Sequence, residues 1–160
     1  MHKRIIISGP TASGKTLLKK RFENKNFKFD ISYTSRSKRP NETDGVDYVF
    51  LTKKDFKEKI KNDFFYEWVE YNGYFYGTGL EEWNTSDGFV METDGIKNIK
   101  PEDRKNCFIM YLNISYQIRL DRMQTERNWD LERAIKRQRT DFKKFDYFTD
   151  YDMVITNPNF

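Results

Sequence analysis

The sequence predicts an α/β fold: a parallel core sheet built around a phosphate loop and flanked by helices, with a small, mostly antiparallel insertion and a helical lid. Three observations predict it. Gly9-Pro10-Thr11-Ala12-Ser13-Gly14-Lys15-Thr16 has two glycines framing four residues, then lysine and a hydroxyl, and it joins the apolar run Arg4 to Ser8 to the helix-like run Lys15 to Phe22. Later apolar runs, Phe89 to Glu92, Cys107 to Leu112 and Met153 to Thr156, are separated by helical stretches, so right-handed parallel crossovers are the default connection. Between them, the aromatic runs Phe65 to Tyr71 and Tyr74 to Thr78 meet at Asn72-Gly73, the strongest short hairpin signal.

Each element has its own local reason. Glycines in the loop let backbone N–H groups turn inward around a polyphosphate at the positive end of the following helix. Lys15 then reaches the outer phosphates, and the Thr16 hydroxyl is the candidate magnesium ligand. Phe27, Phe29, Ile31 and Tyr33 alternate with polar residues, the period of a half-buried strand. A basic loop, Arg36-Ser37-Lys38-Arg39-Pro40, follows, and Asp44-Gly45 turns the chain into the strand-like Asp47 to Leu51. Thr52 with Asp55 has the form of a helix N-cap, with Phe56 and Ile60 on one helix face.

The stretch from Ser115 to Phe148 is expected to be helical and is rich in arginine: Arg119, Arg122, Arg127, Arg133, Arg137 and Arg139. Leu131, Ile135, Phe142 and Phe145 recur at helical spacing and are expected to form its buried face, leaving Arg119 and Arg139 as exposed charges. Glu126 to Asp130 has no apolar period and reads as a mobile flap between two helices.

Bulk properties bound the function classes. A chain of 160 residues is long enough to bury one core, and 14 Phe, 10 Tyr and 3 Trp make that core aromatic. The balance of 29 basic and 25 acidic residues is mild, so the arginines suit small phosphorylated molecules better than a nucleic-acid stripe. The single cysteine, Cys107, lies in an apolar strand and builds no disulfide or zinc framework. No apolar segment approaches the ~20 residues that span a bilayer. The expectation is a soluble, cytoplasmic protein with no membrane or nucleic-acid partner.

Along nearly its whole length the chain resembles guanylate kinase, of the nucleoside monophosphate kinase group. The resemblance rests on Gly9 to Thr16, on Tyr33 to Pro40 continuing to Asp44-Gly45-Val46-Asp47-Tyr48, and on Glu67-Trp68 followed by Gly73 to Thr78. It extends to Gly95-Ile96-Lys97, Lys136-Arg137, and Tyr151-Asp152 leading to Asn157. It implies one domain in three parts: a core of 1–30, 79–114 and 149–160, a monophosphate-binding region of 31–78, and a helical lid of 115–148. The implied reaction is phosphoryl transfer from ATP, with Mg2+, to GMP or dGMP, with a kinase of broader base specificity or a non-catalytic interaction module as the alternatives.

A kinase needs a second anionic site, so that another phosphate rather than water attacks the γ-phosphorus. Arg36, Arg39, Tyr48 and Tyr76 are the candidates for it. Guanine presents two adjacent donors, N1–H and the 2-amino group, beside the acceptor O6, so Glu67 is the candidate carboxylate and Ser32 and Thr78 the candidate hydroxyls. Where the family carries two aspartates this chain has Met91-Glu92-Thr93-Asp94, and Glu92 and Asp94 are assigned to the base or to the water shell of magnesium. Arg122, Arg127 and Arg137 match the family's lid arginines, expected to spread over the transferring phosphoryl group. Asn157 is assigned to the ATP side. The family continues with a further helix beyond the position of Phe160, so looser donor-base selectivity is expected here.

Overall fold

In chain order the elements are β1 (Arg4–Ser8), α1 (Lys15–Glu23), β2 (Tyr33–Thr34), β3 (Val49–Phe50), α2 (Lys53–Lys61), β4 (Phe65–Tyr71), β5 (Tyr74–Gly79), α3 (Leu80–Thr85), β6 (Gly88–Val90), α4 (Thr93–Lys97), α5 (Pro101–Arg104), β7 (Cys107–Leu112), α6 (Tyr116–Thr125), α7 (Leu131–Phe145) and β8 (Met153–Ile155). The computed structural model describes residues 3–160; Met1 and His2, which begin the expected core segment, lie outside the described residues.

One sheet is wholly parallel, in the order β6-β1-β7-β8. The middle of its inner strand β1, Ile5-Ile6-Ile7, is a continuous apolar run because both faces are covered. Successive side chains point to opposite faces, so Ile6 packs with Trp83, Phe89 and Ile109 while Ile7 packs with Leu18, Met110 and Leu112. Leu18 belongs to α1, and Trp83 and Ile96 to α3 and α4, which puts helices on both sides. The loop after β1 and the chain after β6 both emerge at the carboxyl ends of parallel strands, where open α/β sheets bind ligands.

The second sheet runs β3-β2-β5-β4, with β2 and β3 parallel and the other pairs antiparallel. Its hairpin turns at Asn72 (φ 50°) and Gly73 (φ 72°), the left-handed pair of a type I′ turn, whose twist matches the flanking strands. Beneath it Phe56 of α2 stacks on Phe65 and Phe75, with ring centroids 4.4 and 5.4 Å apart. The Thr52 side chain caps α2 by accepting from the Asp55 N–H, as the sequence predicts.

Four expectations are corrected. The strand expected over Phe27 to Thr34 is broken, because Phe29 bridges to Gly88 in the parallel sheet while Tyr33 and Thr34 already pair with Gly77 and Tyr76 in the other. The chain changes sheets at Asp30 to Ser32, and Asp30, nominally on the polar face, is buried. The strand expected from Asp47 to Leu51 is reduced to Val49 and Phe50. On α7 the buried stripe is Ala134, Gln138, Asp141 and Phe145, whereas Leu131 and Phe142 are 50% and 63% exposed. Helical spacing is kept, but the inward face meets buried polar backbone: Asp141 accepts the Thr11 N–H of the phosphate loop and Gln138 donates to the Tyr116 carbonyl of α6, while Phe145 stacks on Tyr111. For the same reason Arg119 is buried, donating from Nε to the Ile114 carbonyl at 2.9 Å.

Candidate active site

The loop that opens α1 turns through positive φ at Ala12 (61°) and Gly14 (101°). Alternation of this kind aims successive N–H groups to one side and makes a concave anion site. Lys15, at the start of α1, folds its ammonium back onto the carbonyls of Gly9 and Pro10, at 2.5 and 3.0 Å. Burial brings its pKa down to about 8, against the opposing pull of Glu92 and Asp141. An anion at this loop would restore the charge that burial penalises.

A cleft of about 370 Å³ runs from this loop to the second sheet, the size class of a small-molecule site. Lys15 and Thr16 of the loop line it, together with Arg36, Arg39, Tyr48 and Tyr76. Arg36 is held as a fork by both oxygens of Glu42, at 2.6 and 2.5 Å, and lies over the Tyr48 ring at 5.1 Å. Burial pushes the Tyr48 phenol up to about 12, so its hydroxyl stays a donor. Tyr76 and Thr78 project from one face of β5 by the strand period, and the β4–β5 register sets Glu67 opposite Thr78.

Carboxylates and hydroxyls, Asp30, Ser32, Glu67 and Thr78, line the same cleft. Glu67 is buried and accepts the Thr78 hydroxyl at 2.8 Å; its other oxygen would sit 3.1 Å from a Cβ at Gly95, so only glycine leaves that side free. Burial, with Asp30 adding its like charge, pushes Glu67 up to about 7. Ser32 donates to Asp30 at 2.6 Å, and burial pushes Asp30 up to about 6. Asp30 is a site residue that the sequence reading missed, because the period assigned it to an exposed strand face.

The chain after β6 supplies the third part. Glu92 lies 3.3 Å from Lys144 and 3.8 Å from Arg137, and Asp94 lies 3.2 Å from Lys144 and 3.5 Å from Lys97. Lys144 therefore bridges α7 to the acidic turn, a role with no local signal. Arg137 donates from Nε to Thr11 Oγ1 at 2.6 Å and from Nη1 to the Tyr71 hydroxyl at 3.2 Å. Arg127 lines the same cleft, with its guanidinium 5.5 Å from the Trp129 ring.

Arg122 is at the loop's other side, donating to the carbonyls of Ala12 (3.1 Å) and Pro158 (3.0 Å). Asn157 is exposed and caps the Asn159 N–H. Among the candidates, Thr11, Lys15, Thr16, Ser32, Arg36, Arg39, Tyr48, Glu67, Tyr76, Thr78, Glu92, Arg127 and Arg137 share the cleft. Gly9, Pro10, Ala12, Ser13, Gly14, Asp94, Arg122 and Asn157 are not among its lining residues.

Comparison with known proteins converges on one family. A family model described as Guanylate kinase matches residues 1–160. The chain is 33% identical to a guanylate kinase of Caldanaerobacter subterraneus subsp. tengcongensis, over 96% of this chain and 78% of that one. It is 36% identical to a guanylate kinase of Mesomycoplasma hyopneumoniae, over 89% and 82%. In fold it is similar to the crystal structure of guanylate kinase from Anaplasma phagocytophilum, with a TM-score of 0.70 and 21% identity, covering 97% of this chain and 76% of that one. With a family model matched over residues 1–160 and relatives 33–36% identical over most of their length, on a chain whose phosphate loop and basic loop line one cleft, this protein is a member of the guanylate kinase family.

Proposed function

We propose that the chain phosphorylates GMP or dGMP with ATP, giving GDP or dGDP and ADP. One observation carries the reading: the phosphate loop and the Arg36–Arg39–Tyr48–Tyr76 cluster line the same cleft. A phosphate oxygen of the acceptor forms the new bond to the γ-phosphorus of ATP as the bond to the bridging oxygen of ADP breaks. The protein's part is positioning and charge stabilisation.

In this reading Gly9 to Thr16 cradle the donor phosphates, with Lys15 on the outer ones. Arg36, Arg39, Tyr48 and Tyr76 hold the acceptor phosphate. Glu67 takes the N1–H and 2-amino donors of guanine, with Ser32 and Thr78 beside it; a base lacking that donor pair would leave the buried carboxylate unpaired. Arg137 and Arg127 spread over the transferring group, Arg122 steadies the loop, and Asn157 lies on the donor side. The division into core (1–30, 79–114, 149–160), monophosphate-binding region (31–78) and lid (115–148) belongs to the same reading.

Mg2+ fits the donor set, since the Thr16 hydroxyl and the Glu92 carboxylate line the cleft and are hard oxygen donors. When bound it would neutralise charge on the donor phosphates. Asp94, tied to Lys144 and Lys97, would tune Glu92. Among the described residues no helix is long and apolar enough to cross a membrane.

The test is a coupled assay with ATP–Mg and a panel of monophosphates across the four bases in ribo and deoxy forms. Turnover is expected with GMP and dGMP. No turnover of either would overturn the proposal.

A further inference from the structure

Asp141 carries no role in the reading above, yet it is among the most buried charged groups of the protein, 1% exposed on the inner face of α7. A carboxylate is held in such a place only when its charge and its lone pairs are met. Its Oδ2 accepts the backbone N–H of Thr11, inside the phosphate loop, at 2.8 Å. The Arg119 guanidinium lies 3.8 Å from the same oxygen. Its Oδ1 lies 3.1 Å from Nε of Arg137, one helical turn away. That second contact is ionic, because the Nε–H itself is directed at Thr11 Oγ1.

A guanidinium has two usable edges, the Nε side and the Nη fork. Here the Nε side is occupied by Thr11 and Asp141. The fork is left toward the cleft, where its neighbours are the Tyr71 hydroxyl at 3.2 Å and Glu92 at 3.8 Å. Neither of these is a buried, saturated partner, and phosphate oxygens can take their place. The same carboxylate grips the loop that presents Lys15. One side chain thus sets the distance between the arginine and the donor-phosphate cradle.

We propose that Asp141 is a positioning residue for phosphoryl transfer, locking Arg137 against the phosphate loop so that its fork is aimed into the cleft. The proposal rests on the reading of Arg137 as a group that stabilises the transferring phosphoryl. A misplacement of about 1 Å in such a group costs on the order of 10²-fold in rate. Without Asp141, Arg137 retains only Thr11 Oγ1 on its inner edge and gains rotamer freedom, while the acceptor pocket of Arg36 and Glu67 is untouched.

The experiment is a double-mutant cycle in kcat and KM with GMP and ATP–Mg, using Asp141→Asn, Arg137→Ala and the double variant. Asp141→Asn is expected to lower kcat about 10- to 100-fold with KM for GMP within about twofold of the parent. In the Arg137→Ala background the same substitution is expected to cost less than about twofold, because its effect has already been removed. Full additivity would overturn the proposal, as would an Asp141→Asn enzyme of normal kcat beside an impaired Arg137→Ala enzyme. A normal Arg137→Ala enzyme would instead refute the reading of Arg137 on which the proposal stands. A second measurement needs no variant: in the unsubstituted protein the Nε–H proton of Arg137 should exchange with solvent much more slowly than that of exposed Arg139. Equal exchange rates would also overturn it.

Discussion

Replacing Glu67 by glutamine should make the protein more stable and less able to recognise guanine. Glu67 is buried, its one direct side-chain partner is the Thr78 hydroxyl, and Asp30 lies close enough to add like charge. Its pKa rises from an ordinary 4.5 to about 7, chiefly through burial. The folded state therefore holds this proton more tightly than the unfolded chain. The resulting stabilisation is fully present below the ordinary carboxylate range and is lost as pH rises through about 7. A shift of that size corresponds to about 3 kcal/mol. Glutamine has the same shape and no charge to desolvate, so the variant's advantage should grow by about that amount between pH 4.5 and pH 8.5. For a chain of this length that is roughly 6–12 °C in Tm at the higher pH.

Function should move the other way. The amide offers one acceptor where the carboxylate offers two, and it turns an NH2 toward a base edge that already carries donors. Losing one charge-assisted bond and gaining a donor–donor clash should reduce kcat/KM for GMP about 10²- to 10³-fold, with KM for ATP within about twofold. Paired thermal melts across pH and substrate-saturation curves measure both halves. An advantage independent of pH would refute the burial argument, and equal losses toward GMP and ATP would refute the assignment of this carboxylate to the base.

Three further outcomes follow from the geometry. Lys15→Ala should lower kcat by about 10²- to 10³-fold while calorimetric binding of GMP is preserved, and in the parent enzyme KM for ATP should rise above pH about 8, where the buried ammonium loses its proton; a KM flat to pH 9.5 would contradict this. Arg36→Ala should raise KM for GMP about 10- to 100-fold, since it removes a cationic group from the acceptor side of the cleft and leaves Glu42 without its bidentate partner; an equal rise in KM for ATP would point to general damage instead. Gly88→Ala should destabilise the fold by about 1–3 kcal/mol, because a Cβ there would lie 2.5 Å from the Phe29 ring; chemical denaturation measures it, and an unchanged midpoint would mean that Phe29 moves freely.

What was legible in the sequence was whatever is written within one or two turns of chain. The phosphate loop spans eight consecutive residues, the Asn72-Gly73 turn two, and the strands on either side announce themselves by apolar runs. Each is dictated by local sterics and hydrogen bonding, so no distant contact is needed to infer it. Arg36 and Arg39 are close neighbours in one basic loop, but only the fold brings Tyr48 and Tyr76, up to forty positions away, to the same cleft.

Only the tertiary structure decided which charged residues lie inside. Asp141 meets the Thr11 N–H across 130 positions, and Lys144 meets Glu92 across 52. Neither has a periodic signature, since a charged side chain reads as solvent-facing until something arrives to pair with it. The inner face of α7 illustrates the point: apolar spacing gives Leu131, Ile135, Phe142 and Phe145, of which Phe145 is buried, but the helix also turns Gln138 and Asp141 inward to bond the Tyr116 carbonyl and the Thr11 N–H and leaves Leu131 and Phe142 in water. Asp30 was hidden in the same way, at the crossing where the chain leaves one sheet for the other. Short-range periodicity determines where strands, turns and the phosphate loop form; the satisfaction of buried polar groups, which only folding brings together, determines the inner wall of the active site.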